Sequence, residues 1–299
     1  MARLAPSRIL CPTDMSDVSR RAVLTGLAWA KVFGAKVYVL SARELSIPPR
    51  YFTPDQVAAL TRQGEQAEDQ VRAELEQWVA EMNSEGVAVE AVVGPGPADR
   101  AILRAVEVVR PDLVVMGTHG RSGYNRFLMG STTEKVVRKI PVPLLVVRCV
   151  EPHNLLPVGG KDDMGVRRIL CAADAPKEVG SNLPIVFALA RTFKAELTVL
   201  HNLEAPSWIA SIPTEVRTEV ERRLKDQIEA QGAGLSLKVV ISEGNASQQI
   251  LDQAARDGVD LIVVGGRQPT ETTPAFRATA IRVMRQANCP VLALPGLAG

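Results

Sequence analysis

Residues 112–138 read DLVVMGTHGRSGYNRFLMGSTTEKVVR, and the glycines, hydroxyls and basic side chains within them are spaced as a phosphate site requires. Gly117 and Gly120 have two residues between them, Gly120 and Gly130 have nine, and Ser131 and Thr132 follow at once. A glycine where a strand ends and another just before a helix let main chain approach a ligand that a Cβ would hold off. Amides at a helix N-terminus, aligned with the positive end of the helix dipole, bind an anion without help from a lysine. Ser131 and Thr132 add hydroxyl donors, and His119, Arg121 and Arg126 add positive charge. Turn glycines in a surface loop are the alternative. The cradle is the better reading because the strand and helix that such a motif needs stand on either side of it.

Those flanks are legible in the residue pattern. Leu113, Val114, Val115 and Met116 form a short apolar run that stops at Gly117, and a helical pattern begins at Ser131 and runs to Lys139. Upstream, residues 9–11 read as a buried strand that stops at Pro12, Thr13 and Asp14, after which Ser16 or Asp17 caps a helix over 18–33 ended by Gly34. A strand over 36–40 and a proline-rich loop over 47–54 precede a long charged helix over 55–83. Its buried stripe is expected from Val57, Leu60, Val71, Leu75 and Val79. A strand at 87–93, the turn Gly94-Pro95-Gly96-Pro97, a helix to Arg110 with Pro97 in its first position and a strand at 144–148 complete the half. Strands alternating with helices imply parallel connections and right-handed crossovers, hence a doubly wound sheet. Ligands of such sheets sit beyond the carboxyl ends of the strands, where the glycine loop and Asp14 both fall.

The pattern then repeats. Residues 168–171 match 8–11 at an offset of 160, and Asp174, Ala190, Phe193, Val199 and Leu200 match at the same offset. Further on the offset falls to 148, where Gly244 matches Gly96, Ile250 matches Ile102 and 260–265 match 112–117. The deletion lies in the loop and long helix, where a fold tolerates it. Between the halves, EPHNLLPVGGKDDMG has the proline, glycine and charge of a linker. The second copy keeps the scaffold and loses the cradle: Arg277 and Ala278 stand near the places of Gly130 and Ser131, and Glu271 brings negative charge. A phosphate ligand is therefore expected in the first half only, with Arg267, Thr270, Thr272 and Thr273 left as the makings of a different anion site.

Residues 116–131, MGTHGRSGYNRFLMGS, resemble the ATP-binding signature of the universal stress protein family at every fixed position, and 143–147, PLLVV, are similar to that family's last strand. The resemblance covers nearly the whole chain as two tandem domains. It implies two doubly wound, Rossmann-like α/β domains, each on a five-stranded parallel sheet: residues 1–150 as the nucleotide-binding domain, 151–165 as linker and 166–299 as a domain with a degenerate site. It implies ATP as the ligand, with Mg²⁺ brought in by the phosphates. The contacts carried over are Pro12, Asp14 and Ala42 at the nucleoside end and Met116, Gly117, His119, Gly120, Arg121, Gly130, Ser131 and Thr132 around the phosphates. A cap at the start of its helix is the alternative for Asp14, and the ligand role is the better reading because the adjacent loop carries the phosphate signature. The family is cytoplasmic, usually homodimeric and associated with survival under stress, which points to a nucleotide-responsive binding or regulatory module. Slow ATP hydrolysis or phosphotransfer at the same site is the alternative. The apolar strands at 144–148 and 291–294 are expected to pair inside one chain as an internal pseudo-dimer, leaving a homodimer of two such chains open.

Composition narrows the field further. With 46% hydrophobic and 23% charged residues over 299 positions, the chain reads as a globular protein of two ordinary domains. Thirty-five Lys and Arg against 33 Asp and Glu give no electrostatic reason to expect nucleic acid or a membrane surface. No apolar run reaches the roughly 20 residues of a membrane-spanning helix, and a cytoplasmic location is expected. Cys11, Cys149, Cys171 and Cys289 form no CxxC pair, so packed thiols are expected rather than a metal or redox site. A dinucleotide fingerprint after the third strand fails because its third glycine would be Asp99, and no Gly-Lys-Ser or Gly-Lys-Thr of a P-loop occurs. His119, His153 and His201 are the only histidines and support no nucleophilic triad, so no catalytic residue is assigned.

Overall fold

A computed structural model of the chain describes residues 5–43, 53–82, 84–118, 129–148, 165–173, 179–203, 212–266, 276 and 278–296. The first half runs β1 (Arg8–Thr13), α1 (Asp17–Phe33), β2 (Lys36–Arg43), α2 (Pro54–Ala80), β3 (Val89–Pro95), α3 (Ala98–Val109), β4 (Leu113–Gly117), α4 (Ser131–Lys139) and β5 (Leu144–Val147). The second half runs β6 (Arg168–Ala173), α5 (Val179–Phe193), β7 (Glu196–Leu203), α6 (Thr214–Gln231), β8 (Leu237–Glu243), α7 (Ala246–Asp257), β9 (Leu261–Gly265), α8 (Ala278–Gln286) and β10 (Val291–Leu294). Among the described residues no helix is long and apolar enough to cross a membrane.

The strands form one ten-stranded sheet in the order β3-β2-β1-β4-β5-β10-β9-β6-β7-β8. Within each half all five strands are parallel. The halves meet where β10 pairs antiparallel with β5, Leu292 opposite Leu145 and Val291 opposite Val146. This is the pairing that the two apolar runs suggested. Alternate strand residues face opposite ways: Ile9 and Cys11 join a core with α1, α2, α5 and α6, while Leu10 joins one with α3, α4, α7 and α8. Gly26 of α1 lies against Cys11, and a Cβ there would overlap the sulfur. Burial pushes the Cys11 thiol far above its ordinary range and that of Cys171 up to about 12, as packed rather than reactive thiols require.

Further contacts lock the halves together. Arg148, buried just past β5, donates from Nη1 to the carbonyls of Gln286 and Ala287 (3.1 and 2.6 Å), which close the C-terminus of α8. Across the other face Trp29 of α1 meets Phe193 of α5 edge-on, with ring centroids 5.5 Å apart.

The structure corrects three local expectations. Val57 and Leu60 do not belong to the buried stripe of α2; they are exposed, and the helix is anchored by Leu75 and Val79 and by Arg72 donating to the carbonyl of Ala91. The 27 residues of α2 span roughly 40 Å, whereas the seven of β3 span roughly 23 Å. The first turns therefore have no sheet beneath them. β2 runs on past Leu40 to Arg43, because Ser41, Ala42 and Arg43 find partners in Val93, Gly94 and Pro95. Pro97 is the cap of α3 rather than its first residue.

An aspartate fixes the amino end of each half's central strands. Asp112 Oδ2 accepts from the Ser7 hydroxyl (2.7 Å) and from the amides of Ser7 and Arg8 (2.8 and 3.0 Å). Asp260 accepts from the amides of Arg167 and Arg168 in the second copy. Burial alone would raise the Asp112 pKa, but the hydrogen bonds from Ser7 and Arg8 outweigh it and hold the carboxyl below its usual value. Because the folded-state pKa is the lower one, this stabilisation is complete above the unfolded pKa and disappears as pH falls through the folded pKa. Asp112→Ala should lower stability by about 1–2 kcal/mol at pH 7. Urea unfolding at pH 7 and again near pH 3 should show the gap between variant and wild type closing in acid.

Candidate functional site

Two strand-to-helix connections meet at the carboxyl ends of β1 and β4. In the first, Thr13 Oγ1 accepts from the amide of Met15 (2.9 Å) and pairs with Ser19 Oγ (2.8 Å). Met15 takes a left-handed φ of 58°, unusual for a side chain of its size and held by this network. Ser16 caps α1 by accepting from the amide of Ser19, and Asp14 Oδ1 accepts from Ser16. Asp14 is thus both a residue that shapes the start of the helix and a carboxylate on the rim of the cleft.

In the second connection the chain is tied at both ends. The Thr118 amide donates to the carbonyl of Val147 (3.0 Å), the Gly130 amide donates to the carbonyl of Thr118 (2.7 Å), and Thr133 Oγ1 donates to the buried carbonyl of Gly117 (2.9 Å). Gly130 caps α4 with extended backbone and has no side chain with which to satisfy the helix. The first-turn amides of an α-helix have no intrahelical acceptor. With Gly130 already bonded to Thr118, those of Ser131, Thr132 and Thr133 are the donors α4 offers.

Between these connections lies a cavity of about 310 Å³. Its apolar wall is Leu40, Ile102 and Met116, all buried, with Ala42 and Ala98 beside them; its polar end is Gly130 to Thr133 and Asp14. Ala98 and Ile102 come from α3, which packs on the same sheet face as α4, so two helices of that face close the slot. The place is the switch point of the sheet, where β1 has β2 on one side and β4 on the other. The geometry suits a ligand with a flat apolar part and an anionic tail.

Of the eleven residues singled out from the sequence, eight line this one cavity: Pro12, Asp14, Ala42, Met116, Gly117, Gly130, Ser131 and Thr132. His119, Gly120 and Arg121 lie outside the described residues, as does Arg126. Sequence reasoning missed Thr13, Ser19 and Thr133, which position the others, and the apolar wall of Leu40, Ala98 and Ile102. A signal for the wall existed in the repeat, which aligns Leu40 with Leu200 and Ile102 with Ile250.

The second half has the corresponding cleft, lined by Leu200, Asn202, Ile250 and Gly265 among others, but its cavity is about 130 Å³. Asn202 stands where Ala42 stands, tied to the carbonyl of Gly244 and to the Ser242 hydroxyl, both at 3.0 Å. Ala278 takes the place of Ser131 at the start of α8. A small-ligand site usually needs roughly 300–1,000 Å³, a range that the first cavity reaches and the second does not.

The sequence model of the Universal stress protein family matches residues 6–148 and again residues 165–295, and the chain belongs to that family. Two curated relatives each align with about one half of the chain. Universal stress protein MJ0531 of Methanocaldococcus jannaschii is 32% identical over 145 residues, 47% of this chain and 81% of its own. A universal stress protein of Thermus aquaticus, from the QAH/OAS sulfhydrylase 3′ region, is 38% identical over 141 residues, 47% of this chain and 97% of its own. A universal stress protein from Archaeoglobus fulgidus matches the whole architecture with a TM-score of 0.65 at 20% identity, covering 97% of this chain and 98% of the other. The functionally unknown protein PA1789 from Pseudomonas aeruginosa does so with a TM-score of 0.66 at 17% identity, covering 98% and 94%. At such identities the likeness is one of fold.

The Thr133 bond to Gly117 is the internal fastening of the polar end. Thr133→Val keeps the shape and leaves a buried carbonyl unpaired, and should cost about 1–2 kcal/mol in chemical denaturation. Thr132→Val, at a half-buried position on the same turn, should cost less than about 0.5 kcal/mol.

Proposed function

We propose that this chain is an ATP-binding universal stress protein that acts as a nucleotide-responsive binding or regulatory module, with one adenine nucleotide held by residues 1–150 and a closed copy of the site in residues 166–299. The observation that carries the reading is the apolar slot of Leu40, Ala42, Ile102 and Met116 opening directly onto the uncapped amino end of α4. An adenine ring suits the slot, with the main chain at Ala42 beside it. Asp14 is the rim carboxylate suited to accept from ribose hydroxyls, and phosphates suit the amides and hydroxyls of Ser131 and Thr132. His119, Gly120 and Arg121 belong to the same proposal as phosphate neighbours. Mg²⁺ would come bound to the phosphates and supply charge neutralisation there.

Binding is favoured over turnover by the chemistry of the rim. Hydrolysis needs a group placed to orient a nucleophile in line with the phosphate it attacks, and Asp14, the acid among the lining residues, belongs to the ribose end in this reading.

Calorimetric titration of the full-length protein with ATP should give about one site per chain, and saturating ATP should raise the melting temperature. Ala42→Asn copies the residue at Asn202 into the open cavity. It should weaken ATP binding by at least roughly tenfold, the effect of filling a close-fitting slot, without loss of the fold. Two sites per chain, or undiminished binding by the Ala42→Asn protein, would refute the one-site reading.

A further inference from the structure

The second half reaches the first turn of α4 through an ion pair. Glu134 lies in the first turn of α4, the turn whose amino end lines the cavity. A carboxylate there is compatible with the helix dipole, but it competes with any anion bound at the same helix end. It is held on both oxygens: Arg138 Nη2 donates to Oε1 at 2.9 Å from the next turn of α4, and Arg285 Nη2 reaches Oε2 at 2.9 Å from α8 of the second half.

The two arginines are counterparts in the repeat, since α4 (Ser131–Lys139) and α8 (Ala278–Gln286) correspond residue by residue at an offset of 147. The counterpart of Glu134 at that offset is Ile281, which is buried. No reciprocal pair can form, so the clamp acts in one direction, from the closed half onto the open one. Of the other acids, Asp14 on the rim accepts from Ser16, and Asp99, next to the lining residue Ala98 in the first turn of α3, is matched by Lys135 of its own half at 3.6 Å. Arg138 and, beyond it, Arg285 hold the Glu134 carboxyl below its usual range against a smaller opposing effect of burial.

We propose that Arg285 is a positioning residue for the nucleotide site of the first half: it neutralises Glu134 and fixes it away from the amino end of α4, so that this helix end attracts phosphate. The inference rests on the nucleotide reading above and adds to it a role for the half whose corresponding cleft is only about 130 Å³. It also specifies which part of the ligand is affected. A partly exposed charge one helical turn from the helix end acts on the charged tail and leaves an uncharged nucleoside untouched.

The test uses full-length protein and compares ATP with adenosine in wild type, Arg285→Ala, Arg285→Lys, Glu134→Gln and the Glu134→Gln/Arg285→Ala double variant. Arg285→Ala should weaken ATP binding by roughly three- to tenfold at low salt, the scale of one unmasked surface charge facing a multiply charged ligand. Adenosine affinity should not move. Arg285→Lys should recover most of the loss, the double variant should bind ATP about as the wild type does, and added salt should shrink every difference. Equal ATP affinity in wild type and Arg285→Ala overturns the proposal and leaves the nucleotide reading intact. A parallel loss of adenosine binding, or no recovery in the double variant, overturns it in favour of a purely structural pair. A wild type that binds neither ligand overturns the nucleotide reading and this inference with it.

Discussion

A strand of four apolar residues buried on both faces is a poor edge for a sheet, because its unpaired amides and carbonyls and its side chains all need covering. β5 and β10 are such strands, LLVV and VLAL, each with every residue buried. Each solves the problem for the other by antiparallel pairing at the centre of the ten-stranded sheet. Much else follows from that contact. It brings α4 alongside α8, sets Arg148 of one half under the last turn of the other, and turns the α1 and α5 faces toward each other so that Trp29 and Phe193 meet.

The cavity depends on the same arrangement at one remove. Its polar end is the beginning of α4, and α4 is fastened at three levels: Thr133 to the end of β4, Glu134 to α8, and Val136 and Val137 to the core. A helix end can serve as an anion site only if its amides are fixed in direction and left uncapped. Gly130 satisfies the second condition and the packing satisfies the first. α1, α2 and α7 are capped by the side chains of Ser16, Thr53 and Asn245, whereas α4, like α3 and α6, has no side-chain cap, and at α4 the residues with uncapped amides line the cavity.

Most of the fold was legible because the residue pattern and the sheet ask for the same thing. The run LVVM ending in glycine, the helix starting at Ser131 and the repeated RILC each report a local requirement that the tertiary structure also imposes. What was hidden depends on lengths and neighbours. Val57 and Leu60 have helical spacing, but whether a sheet lies beneath them depends on how far β2 and β3 extend, which their own residues do not encode. The site divided along the same line. Gly117, Gly130, Ser131 and Asp14, which the sequence singled out by their chemistry, line the cavity; Thr13, Ser19 and Thr133 were not visible, since a hydroxyl announces a role only once its partner is known. Leu40 and Ile102 look like ordinary core residues, and they line a cavity because Ala42 and Ala98 beside them are small.

Joining two copies in one chain also removes a constraint that a symmetric dimer obeys. Across a twofold axis every residue acts twice, because its counterpart in the other subunit is the same residue and repeats the same contact. Here position 134 is Glu while its counterpart 281 is Ile, and position 42 is Ala while its counterpart 202 is Asn. Asn202 uses its polar atoms on Gly244 and Ser242, strengthening its own half at the expense of the open space that Ala42 preserves. Isoleucine at 281 packs into the core on the α8 side, while Glu134 keeps two arginines on the α4 side. The fold thus lets the halves differ where identical subunits could not: one keeps a cleft of about 310 Å³, and the other has a corresponding cleft of about 130 Å³ and sends Arg285 to Glu134. With β5 and β10 paired to each other, association with a second chain has to use a different surface from the one that joins these halves.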